Sequence, residues 1–311
     1  MRILLTGASS FTGFWFARAL AEAGHDVVAV LRRRPEEYPD ALRRARARMV
    51  CECCQTVCGP AFGDEAFLKV IEQRGPWHIL AHHAADVTNY RSPDFDVMAA
   101  VANNTRGIQA TLAALSSAGC RHVLLTGSVF ENDEGAGSEG LEAFSPYGLS
   151  KAITAQIFRY YTRRADMVLG KFVIPNPFGP YEEPRFTAYL MKNWLARKPA
   201  TVNTPAYVRD NIHVSLLAAE YVRFAEALAA STAPIRINPS GYVESQGAFA
   251  MRFAREIGRR LNLPCELELK EQTEFTEPRV RINTDLPKTA GWSESAAWDQ
   301  IAEYYAAGPP T

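Results

Sequence analysis

The chain has 311 residues, of which 47% are hydrophobic and 22% charged, and its formal net charge at pH 7 is zero. This composition is typical of a soluble globular protein with a large core, and the charge balance indicates neither nucleic acid nor a membrane surface as partner. No apolar run reaches the roughly 20 residues of a membrane helix. Because a strand begins at the first residues, we expect no targeting peptide and a cytoplasmic location.

The first 20 residues predict a strand, a turn of small residues and a helix. Residues 3–5 are a short apolar run, typical of a buried parallel strand. Glycines in the following turn let the backbone approach a pyrophosphate, and a helix N-terminus supplies free N–H groups. The sequence therefore predicts a dinucleotide site, although a Gly-rich first turn also occurs in other α/β domains. The predicted contacts are Gly7, Ser9, Ser10, Phe11, Thr12 and Gly13.

A second strand is predicted over residues 24–31, and Arg32 and Arg33 follow it. In a Rossmann-type fold this strand end reads the adenosine ribose: an acid binds the 2′-hydroxyl of NAD, and arginine accommodates the 2′-phosphate of NADP. The expected acidic position holds Leu31. We therefore predict NADP, with NAD as the less favoured cofactor; the alternative is a solvated basic turn. The basic segment 36–48 that follows is predicted to be a solvated helical face.

Four cysteines, at positions 51, 53, 54 and 58, lie where the third strand is expected. Zinc sites usually pair C-x-x-C units or add histidines at set spacings, and this cluster does neither. We interpret it as a strand with polarizable apolar side chains and predict no metal site.

The fourth strand is predicted over residues 77–85, and it ends in Ala84 and Ala85, whose small side chains leave room for a cofactor. We expect His82 and His83 to pack and hydrogen-bond at this strand end rather than to bind metal. Residues 94–115 are predicted to form one long helix.

Three residues later in the chain predict the chemistry. Ser128 ends the fifth predicted strand, and Tyr147 and Lys151 are four apart at the start of a helix that runs to about residue 164. On a helix these two side chains share a face, so the ammonium is expected to lower the phenol pKa and make Tyr147 an acid or base. The Ser128 hydroxyl can hold a substrate oxygen.

These motifs resemble the extended short-chain dehydrogenase/reductases of the sugar-nucleotide epimerase/dehydratase family. Further matches are the stretches His82-His-Ala-Ala, Asn104-Thr-Arg-Gly, Asn176-Pro-Phe-Gly-Pro, Arg209-Asp-Asn-Ile-His-Val and the late Asp285-Leu-Pro-Lys-Thr-Ala-Gly-Trp. The resemblance implies that Asn104 supports a proton relay and that Lys151 holds the nicotinamide ribose. It also implies that Pro175 lies at the cofactor and that Asn176 and Arg209 face the substrate. The alternative for Arg209 is an ion pair with a nearby acid.

The fold that the resemblance implies is α/β: a Rossmann-type doubly wound parallel sheet with a smaller, interleaved C-terminal substrate domain. We expect a cofactor domain over residues 1–174, with a returning segment near 205–230, and a substrate domain over 175–311. The family commonly dimerises through two long helices, here near 94–115 and 147–164, so we expect a homodimer. The alternative is that both helices are buried within one subunit.

Two departures from the family narrow the activity. Its 4,6-dehydratases carry an acidic pair directly after the strand-five serine or threonine, whereas here one acid, Glu131, follows three positions later. The usual adenine-reading Asp after strand three is replaced by Pro60-Ala-Phe-Gly. These departures disfavour a dehydratase and leave the adenine contacts open.

We therefore predict an NADP-dependent oxidoreductase of a nucleotide-linked sugar that reduces a 4-keto-6-deoxyhexose. NADP indicates net reduction, because an epimerase recycles its cofactor in place. The alternatives are a nucleotide-sugar epimerase with bound NAD(P), a reductase of a small ketone or aldehyde, and a cofactor-sensing protein without chemistry. Retention of Ser128, Tyr147 and Lys151 argues against the last of these.

Overall fold

A seven-stranded sheet lies at the centre of the computed structural model, which describes residues 1–310. In chain order the strands are β1 (Arg2–Thr6), β2 (Asp26–Leu31), β3 (Gln55–Cys58), β4 (Ile79–His82), β5 (His122–Ser128), β6 (Ala136–Gly137), β7 (Val168–Ile174), β8 (Asn176–Phe178), β9 (Ala200–Val202), β10 (Val208–His213), β11 (Ile235–Ile237), β12 (Tyr242–Ser245), β13 (Leu267–Leu269) and β14 (Val280–Ile282).

The α-helices are α1 (Phe11–Glu22), α2 (Ala41–Cys53), α3 (Glu65–Arg74), α4 (Val97–Asn104), α5 (Ile108–Ser117), α6 (Pro146–Arg164), α7 (Phe186–Leu195), α8 (Val214–Ala229), α9 (Gln246–Leu261) and α10 (Glu294–Ala307). A short 3₁₀ turn spans Pro35–Glu37. Within residues 1–310, no helix combines the length and the apolar character needed to cross a bilayer.

The central sheet is parallel throughout, in the order β11-β7-β5-β4-β1-β2-β3. One apolar core joins its first face to α1, α2 and α8, and a second core joins the other face to α3, α5 and α6. The inward residues of β1 alternate between these cores, because side chains of successive strand residues point to opposite faces. The predicted doubly wound parallel sheet is confirmed.

A smaller layer follows the central sheet in the chain. Its sheet runs β12-β10-β14-β6, with β8 paired to β10, and a two-stranded sheet joins β13 to β9. Aromatic residues of α7, α9 and α10 form its core, with Trp194, Phe253 and Trp298 almost fully buried. The chain returns to the central sheet between these elements, since α8 packs on α1 and β11 pairs with β7.

The long helix predicted over residues 94–115 is wrong: α4 ends at Asn104 and α5 begins at Ile108. Gly107 separates them with a φ of +56°, a conformation that glycine adopts without steric cost. Backbone contact stabilises this break, because a Cβ on Gly107 would lie 2.3 Å from the carbonyl oxygen of Gly63. The break thereby joins the loop after β3 to the loop between α4 and α5.

The cysteine cluster is also not the predicted strand. Asp40 caps the N-terminus of α2, and Ala47 and Val50 bury its inner face, so the helix extends through Cys51 and Cys53. Cys54 ends that helix, and Cys58 is the cluster's one residue in β3. All four thiols are free, and residues 1–310 contain no group of three or more His, Cys, Asp or Glu side chains arranged to hold a metal ion.

Candidate active site

The turn between β1 and α1 packs closely against the first residues of α1 and against the segment that follows β4. Gly7 has a φ of +77°, and a Cβ on it would lie 2.7 Å from the amide nitrogen of Ala84. Ser10 caps α1: its Oγ accepts from the Gly13 N–H at 3.2 Å and donates to the Gly7 carbonyl at 2.9 Å. The Ser10 hydroxyl therefore points back into the turn. The free N–H groups of the helix remain available to an anion, as a dinucleotide diphosphate requires.

His83 ties this turn to the neighbouring strands. Its Nε2 lies 3.1 Å from Ser10 Oγ and 3.0 Å from Thr12 Oγ1, and its Nδ1 lies 3.0 Å from Thr126 Oγ1. Burial, together with the charge of Lys151, lowers the His83 pKa to about 3. The imidazole is therefore neutral, and it links the N-terminal turn to the end of β5.

The first cavity, which we call the sheet-edge cavity, lies where β1 to β4 end. It is lined by Thr6, Gly7, Ser9, Val30, Arg32, Arg43, Pro60, Ala61, Phe62, His82, Ala84, Ala85, Asp86, Asn103, Asn104 and Arg106. Gly7, Ser9, Arg32, Ala84 and Ala85 thus converge here. Arg33 is exposed and does not line this cavity.

Arg43 is a site residue that the sequence reasoning missed, since segment 36–48 was predicted to be a solvated face. Its Nε donates to Ser9 Oγ at 3.2 Å, and its guanidinium lies 5.1 Å from the centre of the Tyr38 ring. Asp40 was the available signal: as the N-cap it begins α2 there, which puts Arg43 in the first turn beside the strand ends.

Asn104 lies between the sheet-edge cavity and α6. Its Oδ1 accepts from the Asp86 N–H at 2.7 Å, and its Nδ2 donates to Thr154 Oγ1 at 3.3 Å. It is nearly fully buried. These contacts position the loop after β4 against α6.

The second cavity, which we call the cleft cavity, has a volume of about 420 Å³ and lies between the central sheet and the smaller layer. It is lined by Tyr90, Arg91, Ser128, Phe130, Phe144, Ser145, Tyr147, Ile174, Pro175, Asn176, Pro177, Phe178, Glu182, Arg185, Phe186, Thr187, Asn211, Gln246, Phe249 and Glu277. Four predicted site residues, Ser128, Tyr147, Pro175 and Asn176, are therefore in its wall.

The pKa of Tyr147 is not lowered by Lys151 as predicted. Lys151 is buried, and its Nζ donates to the Thr126 carbonyl at 2.6 Å. Burial raises the pKa of the Tyr147 phenol, and the Glu131 carboxylate adds to this increase. The predicted lowering by Lys151 is wrong because the ammonium is directed to a backbone carbonyl and desolvation dominates. Burial lowers the pKa of Lys151 itself to about 8.

Arg209 is not in the cavity wall. Its guanidinium pairs with Glu277 at 3.0 Å and donates to the carbonyls of Val208, Pro278 and Arg279. This is the ion-pair alternative, with Glu277 as the acid. Because Glu277 lines the cleft cavity, Arg209 lies directly behind its wall.

Several polar residues of the cleft cavity were not predicted, among them Glu182, Arg185 and Asn211. Glu182 is 5% exposed, Thr187 donates to its carboxylate, and burial raises its pKa to about 8. Arg185 directly precedes α7. Its Nε and the Nδ2 of Asn211 are both buried and have no hydrogen-bond partner within residues 1–310. No sequence signal marks these residues, because they come together only when the two layers pack.

Comparison with solved structures shows the same fold over the whole chain. UDP-glucose-4-epimerase from Stenotrophomonas maltophila, solved with NAD and formylated UDP-arabinopyranose, is 18% identical with a TM-score of 0.77, covering 99% of this chain and 98% of its own. UDP-glucuronic acid 4-epimerase from Bacillus cereus, with UDP-glucuronic acid and NAD, is 18% identical with a TM-score of 0.76 and 99% coverage of both chains. dTDP-glucose 4,6-dehydratase from Streptomyces venezuelae is 19% identical with a TM-score of 0.73, covering 99% and 98%.

No curated protein shows significant sequence similarity to the chain. The family described as NAD dependent epimerase/dehydratase matches residues 3–238. This match spans the N-terminal turn, the ends of β1 to β4 at the sheet-edge cavity, and Ser128, Tyr147 and Lys151. It confirms the resemblance seen in the sequence. The chain is therefore an enzyme of the NAD dependent epimerase/dehydratase family.

Proposed function

We propose that the protein is an NADP-dependent oxidoreductase of a nucleotide-linked sugar, reducing a 4-keto-6-deoxyhexose. The observation that carries the cofactor choice is that two arginines line the sheet-edge cavity: Arg32, which directly follows β2, and Arg43, in the first turn of α2. Guanidinium groups bind a 2′-phosphate through several donors. Leu31 occupies the position where an acid would bind the ribose of NAD.

The cleft cavity supplies groups suited to a sugar carbonyl. Ser128 and Tyr147 share its wall, so one hydroxyl can hold the carbonyl oxygen while the phenol donates a proton to it. A nicotinamide dinucleotide bound at the sheet edge supplies the hydride for the sugar carbon. Because burial keeps the Tyr147 phenol protonated, it is suited to act as the acid in the reducing direction.

The cofactor assignment is tested by titrating purified protein with NADPH and NADH in parallel. We expect clear preference for NADPH, and we expect Arg43→Ala to weaken NADPH binding about tenfold, as loss of one charged contact predicts. NADH binding should be unchanged in this variant. Arg48→Ala is the matched control, since Arg48 is exposed on the same helix outside the cavity wall. Equal affinity for both cofactors would overturn the NADP assignment.

A nucleotide-sugar epimerase is the second candidate. The neighbouring epimerases were solved with NAD, and the same serine and tyrosine could serve a sugar that is oxidised and reduced in place. Incubation of NADPH with nucleotide 4-keto-6-deoxy sugars separates the two candidates. The proposed reductase consumes NADPH in proportion to product. Interconversion of nucleotide sugars without net cofactor use would establish the epimerase instead, and reduction of small ketones alone would indicate the third alternative.

We propose the following roles for the site residues. Ser128, Tyr147, Lys151 and Asn104 act in catalysis, and Asn176 acts at the substrate. Arg209 acts on the substrate only through Glu277, whose charge it balances from behind the cleft wall. The division into a cofactor domain over residues 1–174 and a substrate domain over 175–311 is likewise proposed.

We also propose a homodimer formed by α4, α5 and α6 of each subunit. Exposed apolar side chains on this face support it: Met98 is 71% exposed, Tyr160 57% and Leu149 44%. Light scattering on the purified protein measures the mass directly.

A further inference from the structure

A buried carboxylate lies directly behind the proposed catalytic serine. Glu131 is 0% exposed, and its Oε1 accepts from the Ser128 N–H at 2.7 Å. Its Oε2 pairs with Lys171 Nζ at 2.5 Å. Glu131 does not line the cleft cavity, whereas Ser128 and Tyr147 do.

Lys171 connects Glu131 to a wider network. Its Nζ also pairs with Glu134 at 2.7 Å, and Asn238 donates to the second oxygen of Glu134 at 2.9 Å. Glycine at position 127 leaves space for the ion pair between Lys171 and Glu131. A Cβ there would lie 2.7 Å from Lys171 Cε and 3.1 Å from Glu131 Oε1.

The smaller layer secures the same segment from the opposite side. Arg281 of β14 is 1% exposed, donates to the Val129 carbonyl at 2.9 Å and also donates to the Glu131 carbonyl. The turn after Ser128 is therefore held by a lysine of the central sheet and an arginine of the second sheet. A buried ion pair is costly to desolvate, so it is weak as a purely stabilising device.

Charged groups from several elements face the two proposed catalytic residues. Glu131 acts on both Lys151 and Tyr147, and Lys171 opposes it at Lys151. At the end of β4, burial lowers the pKa values of His82 and of His83, the residue that follows the strand, so both imidazoles are neutral. Tyr147 additionally faces Arg185 and Tyr90. Glu131 is thus the carboxylate that acts on both catalytic residues.

We propose that Glu131, held by Lys171, is a positioning residue of the active site: it holds the Ser128 backbone and places one negative charge behind Lys151 and Tyr147. This inference rests on the proposed roles of Ser128, Tyr147 and Lys151. Glu131 raises the pKa of Lys151 against the larger, lowering effect of burial, and the charge of Lys171 opposes Glu131.

The test measures the ammonium of Lys151 directly and needs no substrate. Protein labelled with ¹³C at lysine Cε is titrated by NMR, with the Lys151 resonance assigned by its loss in Lys151→Arg. Glu131→Gln keeps an acceptor for the Ser128 N–H and removes the charge, so the Lys151 pKa should fall by about 1 pH unit. Lys171→Met should raise it, because the opposing positive charge is gone.

Glu134→Gln is the matched control, since it removes the other carboxylate on Lys171 while Glu131 remains. Its Lys151 shift should be clearly smaller than that of Glu131→Gln. Equal shifts in the two variants, or shifts of the same sign in Glu131→Gln and Lys171→Met, would overturn the proposal. If Glu131→Gln fails to fold by circular dichroism, the sign of the Lys171→Met shift decides alone.

Kinetics then separate this proposal from the proposed function. With an active substrate, Glu131→Gln should shift the pH profile of kcat to lower pH and leave KM largely unchanged. If no nucleotide sugar is turned over but Lys151 shifts as expected, the function is wrong and the electrostatic role stands. If turnover is found and Lys151 does not shift, the positioning role is wrong and the function stands.

Discussion

The sheet-edge cavity and the cleft cavity are assembled from the chain in different ways. Most residues of the first cavity lie at or just after the ends of strands in one parallel sheet, such as Gly7, Arg32 and Ala84. The second collects residues from both layers, from Tyr90 to Glu277. A parallel doubly wound sheet always presents its strand ends at one edge, so its ligand site follows from topology. The walls of a cleft between two layers depend on how the layers pack.

The largest expected effect comes from Tyr147→Phe, which tests whether the two cavities are functionally separable. The phenol lines the cleft cavity and not the sheet-edge cavity. Loss of the proton donor should reduce kcat by about 10³-fold, while NADPH affinity stays within about twofold of the parent enzyme. Stopped-flow turnover and a cofactor titration measure the two quantities. Residual activity near that of the parent would exclude Tyr147 as the acid.

A smaller effect is expected from Arg209→Ala, which probes the rear of the cleft wall. Removing the guanidinium leaves Glu277 without its partner at the cavity surface. KM for a nucleotide sugar should rise about tenfold, because the wall carboxylate then repels the diphosphate. Reduction of a small ketone should be unaffected. An equal loss for both substrates would assign Arg209 to stability alone.

The smallest expected effects are opposite pH dependences of stability at the two cavities. Burial lowers the His82 pKa from about 6.5 to about 3, so the unfolded chain takes up a proton that the native state refuses, and stability falls as the pH drops below 6.5. Burial raises the Glu182 pKa from 4.5 to about 8, so the native state retains a proton that the unfolded chain releases. Stability therefore falls as the pH rises from 4.5 to 8.

Thermal melts of two glutamine variants separate these contributions. The His82→Gln variant should lose about 2 kcal/mol less stability than the parent between pH 7 and 5. Glu182→Gln should lose less between pH 5 and 8. If stability depends on pH in the same way in the parent and in both variants, groups other than His82 and Glu182 cause the loss of stability at low and high pH.

The part of the sheet-edge cavity that the sequence predicted, Gly7, Ser9, Arg32, Ala84 and Ala85, has local determinants. The apolar run of residues 3–5, the turn glycines and the small residues after β4 each specify a strand end without reference to distant contacts. Ser128 and Tyr147 were likewise found in one cavity wall. Arg43 was not predicted as a site residue because the whole basic segment was interpreted as a solvent-exposed helical face, although Asp40 marks the start of that helix.

What the sequence could not predict depends on desolvation and long-range packing. The spacing of Tyr147 and Lys151 gave a shared helix face, but the direction of the phenol pKa is decided by burial, which spacing does not reveal. Glu182 and Asn211 meet in the cleft from segments that are distant in the chain. The break between α4 and α5 was missed because Gly107 was read within a helical pattern rather than against the backbone of Gly63.

The contact between Gly63 and Gly107 has a consequence for engineering this enzyme. A Cβ on Gly63 would lie 1.7 Å from the carbonyl oxygen of Arg106. A side chain at either glycine would therefore clash with the facing backbone. Arg106 and Phe62 adjoin this contact and line the sheet-edge cavity. A mutant library aimed at cofactor exchange should therefore randomise residues 32, 43 and 106 while keeping both glycines. Libraries aimed at new sugars can vary the cleft separately, since neither glycine lines the cleft cavity.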